Sequence, residues 1–266
     1  MFNQGNTGSP SDEFFHSVAA GRIAGHSLIH KFGASNEITT TYTPLAHGAT
    51  YPTPQANAPV NLRIKAGGNT NDNQAGTGAR AIYVEGLAAD GSLTNETLLT
   101  NATDGTLVGV TGTVDFIRVF RSWVHESGTY ASQAAGSHSG QISIESTGGV
   151  EYVRINPTDF ARGQSQIGVY TVPLGYTAYI YSFFITTDGN KEMDFVLFKR
   201  ENILATTAPY TAMVAIIEQV GLTGSHSGEF KGGRKFNALT DIGWMVKSAS
   251  ASPYATVDFE ILLVAD

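Results

Sequence analysis

ATVDFEILLVAD, residues 255–266, decides the fold. Val257, Phe259, Ile261 and Leu263 alternate with Asp258, Glu260 and Leu262. A period of two is what a pleated strand imposes when one face meets a core and the other meets water. The same period runs through PVNLRIK (59–65), where Val60, Leu62 and Ile64 point one way and Asn61, Arg63 and Lys65 the other. GARAIYVEGL and LAADGSLTNETLL place two strands around Asp90-Gly91, a pair suited to a tight hairpin. In DFIRVFRSWV (115–124), Phe116, Arg118 and Phe120 share one face and Ile117, Val119 and Arg121 the other. QISIES (141–146) and EYVRI (151–155) follow, and then a second series: QIGVYTV, TAYIYSFFIT, EMDFVLFK and DIGWMVKSA. TAMVAIIEQVG (211–221) fits either a strand or a helix of about three turns, because a short apolar run does not decide itself.

Closely spaced strands with turn residues between them predict an all-β protein of two antiparallel β-sandwich, jelly-roll-like domains. The boundaries expected are 59–156 and 165–266, divided at NPTDFARGQS (156–165), which is polar and interrupted by Pro and Gly. Residues 1–58 show no clear period and are dense in Gly, Ser, Thr, Asn and Pro. They read as an extended N-terminal arm with a short irregular segment around SVAAGRIAGHSLIHKFG.

Composition narrows the function. The 266 residues include 30 Gly and are 41% hydrophobic but only 15% charged, which suits a folded β protein whose surface is partly covered by partners. Sixteen Lys and Arg against 23 Asp and Glu give a net charge of −7, which opposes binding to a phosphate backbone. No run of eighteen apolar residues and no charged-then-apolar leader is visible, so neither membrane insertion nor secretion is expected. The absence of cysteine excludes disulfides, thiolate metal sites and a thiol nucleophile.

Motifs that carry chemistry are few. GSHSG occurs at 136–140 and again at 224–228, but His138 and His226 hold the centre that a nucleophile elbow gives to Ser. The repeat marks either equivalent loops in two similar sandwiches or chance in a Gly- and Ser-rich chain. Asn69-Thr70-Asn71-Asp72-Asn73 begins like a calcium loop, yet Arg80 stands where the bidentate acid belongs. His26 and His30 are spaced for one helix face, with Gly25 and Gly33 against a helix there. Glu85, Glu96, Asp115, Glu126, Glu192 and Asp194 offer no spacing that selects a hydrolytic pair. No cofactor and no metal is expected. The crowding of Tyr176, Tyr179, Tyr181, Phe183 and Phe184 suits core packing, or, with loop residues near His138 and His226, contact with a partner or a glycan.

SVAAGRIAGHSLIHKFG with GATYPTP (48–54), NDNQAGTGARAIYVEGLAADGSLTNETLLTN (71–101), FIRVFRSWVHESGTY (116–130), GQSQIGVYTVPLGYTAYI (163–180) and the closing ATVDFEILLVAD carry a resemblance. In these motifs the chain resembles virion structural proteins of tailed bacteriophages, especially those from aquatic environments. The resemblance implies a β-rich, non-enzymatic protein made in the bacterial cytoplasm and resident in the virion, as a capsid decoration or a neck or tail accessory. A homo-oligomer, a trimer foremost, touching other virion proteins is expected, and an extended arm before compact β domains is suited to clasping neighbours, here through His26, His30, Phe32 and Tyr51. The alternative is a host-recognition module that binds surface glycan.

Overall fold

The structure, a computed structural model, describes residues 10–49, 51, 58–129, 136–157, 163–189, 191–249 and 253–266. Much of the expected linker, residues 158–162, lies outside the described residues. Among those described, regular structure is one short α-helix, α1 (Pro10–Ala19), a 3₁₀ turn at His47–Ala49, and antiparallel β-strands. The fold is all-β.

The C-terminal strand organises the second half. β15 (Ala255–Ala265) lies between β1 (His26–Ser35) and β10 (Tyr176–Thr187), and β13 (Ser225–Phe236) completes a sheet in the order β1-β15-β10-β13. Val257, Phe259, Ile261 and Leu263 are all buried, as their alternation requires. They face a second sheet in which β12 (Val214–Leu222), β11 (Met193–Arg200), β14 (Asp241–Ser248) and β2 (Thr43–Pro44) follow one another. The short β9 (Val169–Thr171) pairs with β14 beside them. Phe195, Leu197, Trp244 and Val246 fill the space between the layers. The rings of Phe183 and Trp244 meet there at 4.8 Å.

Residues 211–221, open between helix and strand in the sequence, enter the strand β12 at Val214. Its pairing with β11, with Glu218 opposite Val196, satisfies backbone groups of β11 that a helix would leave unpaired.

Residues 26–35, expected within the extended arm, instead form β1 and pair along their whole length with β15, from His26 opposite Val264 to Ser35 opposite Ala255. The period is hidden because the inward side carries Lys31 and Gly33 among its members, so apolar and polar residues do not alternate. Gly33 is required by a close approach, since a Cβ there would collide with the backbone of Gly168 and Leu45. Helix α1 packs on the outer face of this sheet, with the Phe15 ring 4.8 Å from that of Tyr181 and Val18 buried.

In the first half, β3 (Val60–Ile64), β4 (Ala79–Ala88), β5 (Leu93–Leu99), β6 (Asp115–Ser127), β7 (Ile142–Ser146) and β8 (Glu151–Ile155) form a sheet in the order β5-β4-β6-β3-β7-β8. It curls until a connecting segment joins β5 to β3. Val110 N donates to Leu99 O at 3.0 Å, and Gly109 N and Gly112 N donate to Ile64 O and Leu62 O at 2.9 and 2.8 Å. The edge of β5 is thereby covered along part of its length.

The two cores interlock. From β6, Ile117 and Phe120 join the sandwich core while Phe116 and Val119 join the other, and Phe198 of β11 crosses in the opposite direction. At this junction Arg118 and Asp241 are buried and paired through two bonds, Nε to Oδ1 at 3.0 Å and Nη2 to Oδ2 at 2.9 Å. Arg118 Nη1 donates to Ile117 O at 2.8 Å, and Asp241 Oδ1 also accepts from Thr171 Oγ1 at 2.7 Å and Tyr51 Oη at 3.1 Å. Burial opposes the charge on Arg118, but the Asp241 carboxylate outweighs it and raises the guanidinium above its ordinary value.

Removing one member of such a pair leaves the other buried and uncompensated, at a cost of about 3–5 kcal/mol. Arg118→Met and Asp241→Leu are each expected to lower the urea midpoint strongly. The double variant is expected to lose less than the sum of the two; additive losses would show that the pair is not coupled.

Candidate functional site

A depression lies where the sandwich meets β4, β5 and β6. It has a volume of about 550 Å³, and its walls include Lys31, Glu85, Asn95, Arg121, Tyr170 and Tyr176. Lys31 enters from β1 on the side that faces the core, while Glu85, Asn95 and Arg121 occupy one row across three neighbouring strands, Glu85 standing opposite both others. The floor is apolar, with Phe120 and Tyr170 rings 4.6 Å apart. Burial pushes the phenol of Tyr170 up, so it remains a neutral donor.

Lys31 is a strongly perturbed group of the cleft. It is only 6% exposed, and its Nζ donates to Phe120 O at 2.6 Å. Burial, helped by the charge of Arg121, pushes its amine down to about 7, while Glu85 pulls the other way. An amine near neutrality is a potential nucleophile or proton carrier. Glu85 is the single carboxylate among the lining residues, so the cleft does not assemble the two-carboxylate arrangement of glycoside hydrolysis.

The structure separates the residues grouped by sequence. Tyr176 lines the cleft and packs against the sandwich core. Tyr179 and Tyr181 are half-buried on β10, Tyr181 against Phe15 of the helix, and Phe183 is in the core. His138 is buried in a loop, where burial lowers it below the ordinary histidine value against the opposing influence of Asp72. His226 is exposed on the edge strand β13, with Nε2 2.9 Å from Gln219 Nε2. The two GSHSG copies therefore occupy different structures, a loop and a strand entry. In the first, Ser139 N and Gly140 N donate to the Asp72 carboxylate at 2.9 and 2.7 Å, and Ala79 N does so at 2.8 Å.

That is the use of the Asx-rich turn: Asp72 accepts backbone amides that would otherwise be unpaired. Among the described residues, no cluster of three or more His, Asp or Glu is placed to hold a metal ion. No helix among them is long and apolar enough to cross a membrane.

The residues expected to act from the arm make contacts within this chain. His26 Nδ1 lies 3.0 Å from Ala24 O and its ring 6.0 Å from that of Phe14. His30 stands between two carboxylates, Nδ1 2.6 Å from Glu260 and Nε2 3.3 Å from Asp258. Phe32 lies 5.6 Å beneath the guanidinium of Arg121. Tyr51 joins the buried Arg118–Asp241 network, and burial with the Asp241 charge raises its phenol well above the usual value.

Sequence reasoning missed Lys31, Glu85 and Arg121 as a cluster, because they lie on β1, β4 and β6 and come together only through the fold. One signal was present: Lys31 occupies an inward position, where a strand of this kind carries an apolar residue.

No protein-family model matches the chain, and no curated protein does. Among solved structures, it is similar to the T=1 particles derived from infectious bursal virus, at 11% identity and a TM-score of 0.26, over 90% of this chain and 70% of that one. The Gx and Gt strains of infectious bursal disease virus give 8% and 10% identity, each with a TM-score of 0.26 over 90% of this chain and 72% of theirs.

Lys31 makes stability depend on pH. Its amine is near 7 in the folded chain and about 10.4 when unfolded, so the unfolded state binds more protons between those values. Stability from this group therefore rises with pH through that window, and its cost is fully present below 7. Urea midpoints measured from pH 6.5 to 9 are expected to climb more steeply in the native protein than in Lys31→Met. Parallel profiles would contradict the assignment.

Proposed function

We propose that the chain is a non-enzymatic virion structural protein of a tailed bacteriophage, assembling as a homo-oligomer on the particle. The observation that carries the assembly part of this reading is β12. It is the edge of its sheet, it contains Val214, Ile216, Ile217, Val220 and Leu222, and none of its nine residues is buried. Val220 is 68% exposed and Val214 48%. An apolar, β-branched edge with unpaired backbone groups is a template for another strand, and soluble proteins normally blunt it. The neighbouring β13 is also an edge, and Lys231, Arg234 and Lys235 lie along it. A second copy is the occupant that fits, since the acidic chain supplies charges complementary to that basic strand.

The tailed-phage setting rests on the sequence motifs quoted above, and a trimer is the closed form expected. Capsid decoration and a neck or tail position are both compatible with this surface. A glycan-binding role for Tyr176, Tyr179 and Tyr181 has less support, because their side chains do not share one exposed face.

The expected result of equilibrium sedimentation is a closed oligomer at micromolar concentration. Val220→Lys, at a surface position where folding costs little, is expected to shift it toward monomer with an unchanged melting temperature. A native protein that remains monomeric at tens of micromolar would sink the assembly reading. Absence of the chain from purified particles would sink the virion assignment.

A further inference from the structure

Beside the cleft a second, open depression of about 430 Å³ shares Arg121 with it and is walled by Trp123, Ser137 and Gln164. The strand geometry explains the cluster. Arg121 and Trp123 are two residues apart on β6 and so share a face, and their partners on β4 are Glu85 and Tyr83. The Tyr83 and Trp123 rings lie 4.4 Å apart at 32°, which makes a half-exposed aromatic surface, and the exposed His125 extends it at 5.9 Å from Tyr83.

The guanidinium of Arg121 is held over two aromatic rings, 5.6 Å from Phe32 and 6.0 Å from Trp123. Its Nη2 donates to Gln164 Oε1 at 3.0 Å. Arg63, Arg118 and Arg154 each have a carboxylate at 2.9–3.1 Å. Among the described residues Arg121 has none within 4.0 Å, although Glu85 is its register partner. A half-buried, oriented cation with no carboxylate within 4.0 Å among the described residues, in a protein of net charge −7, suits an anion.

We propose that the groove centred on Arg121 and Trp123 binds a saccharide that carries a carboxylate. The C–H face of a pyranose lies on the indole, its hydroxyls meet Gln164 and Ser137, and its carboxylate takes the free edge of the guanidinium. The lining favours a sugar over a peptide: among the described residues, beyond Trp123 and Val124 it presents Arg121, Ser137, Gly163 and Gln164, with no apolar pocket to seat a side chain. This inference does not rest on the assembly reading, and its residues are distinct from β12 and β13.

The chain's two tryptophans make the test direct, because Trp244 is fully buried and Trp123 lines the groove. Intrinsic fluorescence of the full chain would be titrated with oligogalacturonate, with uncharged maltooligosaccharide and with oligoglutamate. A saturable change with oligogalacturonate alone is expected. Arg121→Gln is expected to weaken it about tenfold or more. Gln164→Ala, a change on the rim that leaves the strands untouched, is expected to weaken it severalfold, with melting temperature as the control for folding. No saturable change at millimolar oligogalacturonate would overturn the proposal, as would undiminished binding by both variants. Equal binding of the uncharged sugar would overturn the role of Arg121, and equal binding of oligoglutamate would overturn the saccharide.

Discussion

A guanidinium and a carboxylate taken out of water at the junction of two β-layers constrain everything around them. Arg118 belongs to β6, the strand that contributes to both cores, and Asp241 begins β14 in the sandwich. Neither charge is tolerable alone at that depth, so the two halves must dock in the single register that gives the pair its two hydrogen bonds and lets Thr171 and Tyr51 donate as well to the Oδ1 that accepts from Arg118 Nε. The pair is specific as well as strong. A hydrophobic junction could slide, whereas a bidentate contact between planar groups cannot.

From that docking the cleft follows. Holding β6 against the sandwich brings Phe120 O within 2.6 Å of Lys31 Nζ and places Glu85 and Arg121 at the mouth. The same strand then carries Arg121 and Trp123 outward, so one β-strand contributes to the interlocked cores, to the buried ion pair and to the groove. The proposed assembly edge is elsewhere, on β12, whose apolar side chains the sandwich leaves uncovered, and on the basic β13. The two proposed surfaces therefore need not compete.

The strand class was legible because it is written locally. Alternation in 255–266 and in 59–65 and the Asp90-Gly91 turn each depend on a few consecutive residues, and each appears as strand or turn. β1 was not legible, since Lys31 and Gly33 stand on its inward side for reasons that lie in distant residues: Phe120 O for the amine and the backbone of Gly168 for the glycine. The ambiguity of 211–221 had the same origin, because only the open edge of β11 selects the strand. The candidate site was hidden more deeply. Lys31, Glu85 and Arg121 lie on β1, β4 and β6 and meet only through the fold, and no periodicity marks a charged residue as buried. The repeated GSHSG attracted attention that its structure does not reward, because five residues do not determine whether a segment becomes a loop over Asp72 or the start of an edge strand.

The central claim is that the ion pair and the interlocked cores make the halves one cooperative unit. Differential scanning calorimetry of the native chain tests it most directly, by comparing the calorimetric with the van't Hoff enthalpy under conditions where unfolding is reversible. The account predicts a single endotherm with the two enthalpies equal for the protomer. Two resolved transitions, or a van't Hoff enthalpy near half the calorimetric value, would contradict it and make the junction a contact between independently folding parts.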